Sequence, residues 1–165
     1  MTNTNSAVLT RRGLLGVFAA ATVAAAPTYS NAFGLLRGAG DVRRVKMYSG
    51  RSGESVDTIY WVDGAYIPEV LNEVNHFMRD LRADQSIKMN PQNLDIIAAT
   101  HHMLDVNEPY MLLSGYRTPA TNAMLRSHSK AVAQHSLHMS GMAADLRLKS
   151  RTVGQMAAAA QVCSA

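Results

Sequence analysis

The sequence contains a single cysteine, Cys163, among 165 residues. One thiol excludes an internal disulfide, so core packing, with a metal where one is bound, must hold the fold. Long apolar runs are missing as well. The most apolar stretch, residues 17–26, falls well short of the roughly 18–20 residues of a membrane-spanning helix. There is no glycine-rich phosphate loop, no G-x-S-x-G elbow and no cysteine cluster, so nucleotide, serine-hydrolase and zinc-finger chemistries have no motif here. A strong charge of one sign is also lacking: sixteen Lys and Arg face twelve Asp and Glu, for a net +4. Two of those basic residues, Arg11 and Arg12, lie in the first 32 positions, which leaves fourteen against twelve, or +2, for the rest. So small an excess argues against a nucleic-acid partner and suits an ordinary solvated surface or an anionic envelope polymer.

What the N-terminus does have is Thr10-Arg11-Arg12-Gly13-Leu14-Leu15-Gly16, followed by the short alanine-rich run. Paired arginines before a mildly apolar segment read as a twin-arginine export signal, the alternative being a buried alanine-rich helix. Ser30-Asn31-Ala32 offers a better cleavage site than Ala24-Ala25-Ala26, which is followed by Pro27. The expectation is a signal over 1–32, recognised by the twin-arginine export machinery, then one domain over 33–165 that functions in the periplasm.

Along that domain, residues 45–48 and 55–62 are strand-like around a turn at Arg51-Ser52-Gly53-Glu54. Asp63-Gly64 predicts a second tight turn. Pro68 opens a helix expected to reach about residue 82, with Val70, Leu71, Val74, Phe77, Met78 and Leu81 on one face. Asn90-Pro91 and Thr118-Pro119 are cap-and-proline helix starts, for helices to about 106 and 129. Leu94, Ile97, Ala98 and His101 share the apolar stripe of the first of these. Residues 110–116 read as a buried strand and 152–161 as a last helix. Helices packed on an antiparallel sheet make the expected class α+β.

The chemistry concentrates in Ser136-Leu-His138-Met-Ser-Gly141-Met-Ala143-Ala-Asp145, or S-x-H-x-x-G-x-A-x-D. An imidazole and a carboxylate seven residues apart, on a loop feeding a strand, suit zinc, which accepts both at roughly 2.0–2.2 Å. They equally suit a buried hydrogen-bonded pair. Upstream, Ser114-Gly115-Tyr116-Arg117 places a guanidinium between strand and helix, where it can bind a carboxylate or polarise a carbonyl, or else form a surface ion pair.

Together with Asn75-His76-Phe77-Met78-Arg79-Asp80, these elements resemble the MepK-type murein endopeptidases of the zinc D-Ala-D-Ala carboxypeptidase superfamily, over residues 43 to 161. The resemblance implies a zinc metallopeptidase that cleaves peptide cross-links of peptidoglycan, pointing to 3-3 links. The alternatives are a D,D-carboxypeptidase or an inactive remnant that binds murein. It implies His138 and Asp145 as metal ligands, Arg117 as the holder of the stem peptide and Ser136 as a further substrate contact. Asp145 has the alternative role of orienting His138, and Ser136 that of a loop hydrogen bond. The resemblance also implies a third ligand, a histidine in a C-terminal Phe-Val-His-x-Asp strand. No histidine follows His138. The expectation is a chain that lacks the family's last strands, by truncation or frameshift, so that the third ligand and the general base are unassigned. His135, His128 and Cys163 are the residues that could substitute, although Cys163, near the end of the sequence, is expected in a frayed tail. His76 is expected to pack or to support the site, and His101 to lie in the core.

Overall fold

The computed structural model describes residues 42–164. The expected export signal lies outside the described residues. Within them the order is β1 (Val42–Tyr48), β2 (Ser55–Val62), β3 (Ala65–Tyr66), α1 (Pro68–Phe77), α2 (Pro91–Met103), β4 (Tyr110–Ser114), α3 (Pro119–His128), a 3-10 turn (Leu137–Ser140), β5 (Asp145–Arg147) and α4 (Val153–Ser164). The strands form one sheet in the order β3-β2-β1-β4-β5. The class is α+β, as expected.

The sheet is mixed rather than wholly antiparallel: β1 and β4 pair in parallel at Met47–Tyr110 and Tyr48–Met111. Their connection carries β2, β3, α1 and α2, and a crossover of that length is what parallel neighbours require. The hairpin β1–β2 and the pair β4–β5 are antiparallel. Along β1 the side chains alternate, so Arg43, Val45 and Met47 point inward. They meet Tyr60 from β2, Val74 and Phe77 from α1, Leu94 and Ala98 from α2, and Tyr110 and Leu112 from β4. Helix α4 closes the core against α2 and brings Cys163 with it. Cys163 is therefore not frayed: it is 3% exposed, and burial pushes its thiol above the ordinary range.

Helix α1 stops at Phe77, several residues before the apolar periodicity ends. The reason lies in Met78 to Gln85, whose polar groups are engaged outside a helix. The Asp80 N–H donates to the Gln85 carbonyl at 2.9 Å, and the Asp80 carboxylate accepts the Arg82 N–H at 3.0 Å. An aspartate that captures the amide two residues on forms a turn in competition with the helix. Helix α2 starts at Asn90-Pro91 and α3 at Thr118-Pro119, both with the expected side-chain cap: Asn90 accepts from Gln92 N–H and Thr118 from Thr121 N–H. Among the described residues no helix is long and apolar enough to cross a membrane.

Candidate active site

Two loops and one strand converge at the edge of the sheet. The first loop, Gly115 to Thr118, links β4 to α3 and is moulded on the turn after α1. The Tyr116 N–H donates to the Met78 carbonyl at 2.7 Å. Gly115 lies so close to that backbone that a Cβ in its place would overlap the Met78 carbonyl oxygen and stand 2.8 Å from Met78 Cβ, so only glycine fits. Two residues on, Asp80 Oδ2 accepts both the Thr118 N–H and the Thr118 hydroxyl, each at 2.9 Å. Burial alone would raise the Asp80 pKa. The hydrogen bonds from Thr121, Thr118 and Arg82 outweigh it and hold the carboxyl below the usual carboxylate range.

The second loop carries His138 in the 3-10 turn. Ser136 caps this turn, its hydroxyl accepting the His138 N–H at 3.4 Å. Gly141 ends it in the left-handed conformation, with φ of 70°. The Gly141 carbonyl accepts from Asn90 N–H at 2.9 Å and from the Asn93 side-chain amide at 3.1 Å, which ties the turn to the start of α2. The Arg117 N–H donates to the His138 carbonyl at 3.2 Å, so the two loops also grip each other.

His138 is buried, and its ring is fixed from behind. Nδ1 lies 2.7 Å from the Gly115 carbonyl oxygen, an acceptor, so Nδ1 carries the proton and Nε2 faces outward. Nε2 stands 3.5 Å from Asp145 Oδ2 on the edge strand β5. The Asp145 side chain is 55% exposed, so the pair opens to solvent on one side. The Asp145 carboxylate raises the His138 pKa against the opposing effect of burial, helped by the Gly115 carbonyl and opposed by the Arg117 charge. His138 in turn lowers the Asp145 pKa. Arg117 is half-buried. Its Nη1 donates to Asn122 Oδ1 at 3.3 Å and its Nη2 to Ser114 Oγ at 3.5 Å, both neutral acceptors. An apolar groove of about 690 Å³ runs beside the pair, lined by Leu113, Ser114, Asp145, Ile96 and Met156 among others.

His138, Asp145, Arg117 and Ser136 are thus brought together. The other residues that could substitute as ligands are not. His135 is exposed in the loop, His128 is exposed with Nδ1 against the Met124 carbonyl at 2.8 Å, and Cys163 is in the core under α2. Among the described residues no group of three His, Cys, Asp or Glu side chains is placed to hold a metal ion. His76, expected to pack or to support the site, is exposed at the end of α1. His101 is half-buried, with Nε2 against the Glu108 carbonyl at 2.7 Å and its ring tilted on Tyr110. Sequence reading missed two contributors. Gly115 matters through its carbonyl and its missing side chain, and Asp80 through the cap it supports. Both lie inside quoted motifs, but neither role leaves a local signal.

The family model for the peptidoglycan L,D-endopeptidase MepK matches residues 37–164. The chain belongs to the MepK family. It is 36% identical over 98 residues to the peptidoglycan L,D-endopeptidase MepK of Escherichia coli K12, covering 59% of this chain and 54% of that protein. It is 32% identical over 98 residues to the probable peptidoglycan L,D-endopeptidase MepK of Haemophilus influenzae, covering 59% and 53%. The chain spans about half the length of the curated MepK relatives it matches. No solved structure matches it.

Proposed function

We propose that the chain is a peptidoglycan hydrolase of the L,D-endopeptidase type, dependent on zinc, that acts on wall cross-links after export. The observation that carries this reading is the half-open pair: Nδ1 of His138 locked on a backbone carbonyl, and Nε2 facing a solvent-exposed carboxylate at 3.5 Å. A ligating histidine needs such a second partner to fix its tautomer. Imidazole nitrogen and carboxylate oxygen are both donors that zinc accepts, and here they face each other at 3.5 Å. Two positions of a zinc site therefore fit. The third protein donor is not among the described residues. When bound, zinc would polarise the scissile carbonyl and bring the pKa of its water to about 7.

The chain's own residues supply the rest. Gly115 holds the imidazole in one orientation, and Ser136 caps the turn that carries it. Arg117, anchored by neutral partners, keeps its charge for a substrate carboxylate or carbonyl. The apolar groove offers a largely apolar wall beside the pair against which a substrate can lie. A second reading, binding of murein without cleavage, draws on the observation that among the described residues no third donor joins the pair. Incubating purified sacculi with the chain, with and without a chelator, separates the two. Release of cross-linked dimers as monomers, lost with chelator and in His138→Ala, supports the endopeptidase. Loss of a terminal residue without dimer cleavage marks a carboxypeptidase, and sedimentation with sacculi without any product supports the binder.

A further inference from the structure

Beside the Gly115–Arg117 loop a cavity of about 190 Å³ opens between the β1–β2 turn and the turn after α1. Four arginines line it, Arg51, Arg79, Arg82 and Arg117, with Ser114 and the buried Ser49 between them. Their charges are not equally available. Arg79 is neutralised: its Nη1 and Nη2 donate to Glu54 at 3.0 and 3.2 Å, and its Nε to Asp84 at 2.8 Å. Asp80 is the acid in the wall, and both its oxygens already accept, from Thr118 and from the Arg82 N–H. Arg51 and Arg82 are exposed, and among the described residues neither forms an ion pair with an acid. Arg117 touches only neutral acceptors. Three guanidinium groups thus surround a small cavity whose acids are already engaged.

Size and position narrow the ligand. The cavity is several times the roughly 30 Å³ of a water molecule and below the roughly 300 Å³ where pockets for drug-sized ligands begin. It fits one end of a substituent rather than a sugar. Ser114 lines both this cavity and the apolar groove at Asp145, and Arg117 stands between them with its charge felt at His138 and Asp145. A planar fork of N–H donors prefers a carboxylate, which it can hold through two parallel bonds.

We propose that Arg51, Arg82 and Arg117 form an anion subsite that takes a free carboxylate of a murein stem peptide, adjoining the apolar groove at His138 and Asp145. The inference rests on peptidoglycan as the substrate, but its test needs no cleavage. An acetylated stem tripeptide contains no cross-link to cut, so its binding to the full chain can be titrated by calorimetry. The control is the same tripeptide with its carboxylates amidated. The free acid should bind about tenfold more tightly, the factor expected from one charge-assisted contact. The double variant Arg51→Gln/Arg82→Gln should erase that difference while leaving its thermal midpoint and the affinity for the amidated peptide unchanged. Arg51→Lys/Arg82→Lys should restore part of it. Equal affinity for the two peptides, a difference that survives in the double glutamine variant, or no measurable binding of either peptide overturns the proposal. If the discrimination holds while sacculi are not cleaved, the subsite stands and the endopeptidase reading falls. If sacculi are cleaved without discrimination, the reverse holds.

Discussion

Two of the carboxylate–nitrogen pairs, Asp95 with Arg43 and Asp145 with His138, stand in opposite states of completion. Asp95 on α2 is closed. Its Oδ1 lies 2.8 Å from Arg43 Nη1 and accepts the Tyr60 hydroxyl at 3.0 Å, and its Oδ2 accepts the Tyr66 hydroxyl at 2.6 Å. The Arg43 guanidinium also stacks 4.0 Å over the Trp61 ring, and the ion pair is almost wholly out of water at 5% and 7% exposure. Asp145 is open. It faces one imidazole nitrogen at 3.5 Å and leaves its other side to solvent. A buried charge whose neighbours satisfy it on every side holds elements together, here β1, β2, β3 and α2. A charge partnered on one side only retains the capacity to bind something else. Saturation, rather than residue type, separates the closed pair from the open one proposed as the chemical site.

Exchanging the two carboxylates for neutral residues tests that separation most sharply. Asp145→Asn and His138→Ala should each abolish whatever dimer cleavage the chain performs on sacculi. Asp145→Asn should leave the urea midpoint close to wild type, because a pair open to solvent contributes only about 0–1 kcal/mol. Asp95→Ala should do the opposite to stability. It removes the carboxylate that pairs with the buried Arg43 and accepts from the Tyr60 and Tyr66 hydroxyls, a class of change that costs about 3–5 kcal/mol, and urea unfolding should show it. Should Asp145→Asn prove as destabilising as Asp95→Ala, the open pair is a structural one and its assignment as a metal site fails.

The next largest effect is expected at Gly115, where the loop after β4 packs on the turn after α1. Gly115 presents its carbonyl to His138 and its missing side chain to Met78. In Gly115→Ala the added methyl meets backbone, which cannot swing aside as a flexible side chain can. Overpacking of this kind costs about 1–3 kcal/mol. The displaced carbonyl should also release the imidazole, so activity should fall by more than the loss of folded protein explains. Comparing the folded fraction by circular dichroism with the rate of cleavage measures the two effects separately. A drop in rate matched by the drop in folded fraction would show that the carbonyl does not orient His138.

These positions also mark what a sequence can disclose. The strands, the two proline-led helices and the S-x-H-x-x-G-x-A-x-D element follow from alternation, caps and motif, all local in the chain. The early end of α1 was hidden, because Val74, Phe77, Met78 and Leu81 keep helical spacing through a segment that Asp80 folds into a turn. What overrides the periodicity is the turn in which the Asp80 carboxylate accepts the Arg82 N–H, its other oxygen accepting from Thr118, 38 residues away. The parallel pairing of β1 with β4 and the burial of Cys163 are likewise tertiary outcomes. His138 and Asp145 were legible as residue types, but the imidazole's orientation depends on a carbonyl, which every residue possesses and no motif announces.

The smallest expected effect distinguishes charge from shape at Asp80, and it depends on pH. Asp80 is 4% exposed and supports the cap of α3 beside Arg117 through hydrogen bonds to an ionised carboxylate. Its pKa in the folded state is lowered, whereas the unfolded chain should titrate near 3.9. Between those values the unfolded state binds a proton that the folded state does not, so stability falls as pH falls. The contribution is fully present above the unfolded value and is lost as pH drops through the folded one. Asp80→Asn keeps the shape and one acceptor oxygen but removes the charge and replaces the other acceptor with an amide donor, and charge-assisted bonds are about twice as strong as neutral ones. The variant should therefore be less stable by about 1–2 kcal/mol at pH 7, with the gap closing below about pH 4. Urea titrations of both proteins at pH 7, 5 and 3.5 read this directly. A gap that is constant across the range would mean that the Asp80→Asn variant fails through geometry alone, and that the buried charge contributes nothing to holding the loop.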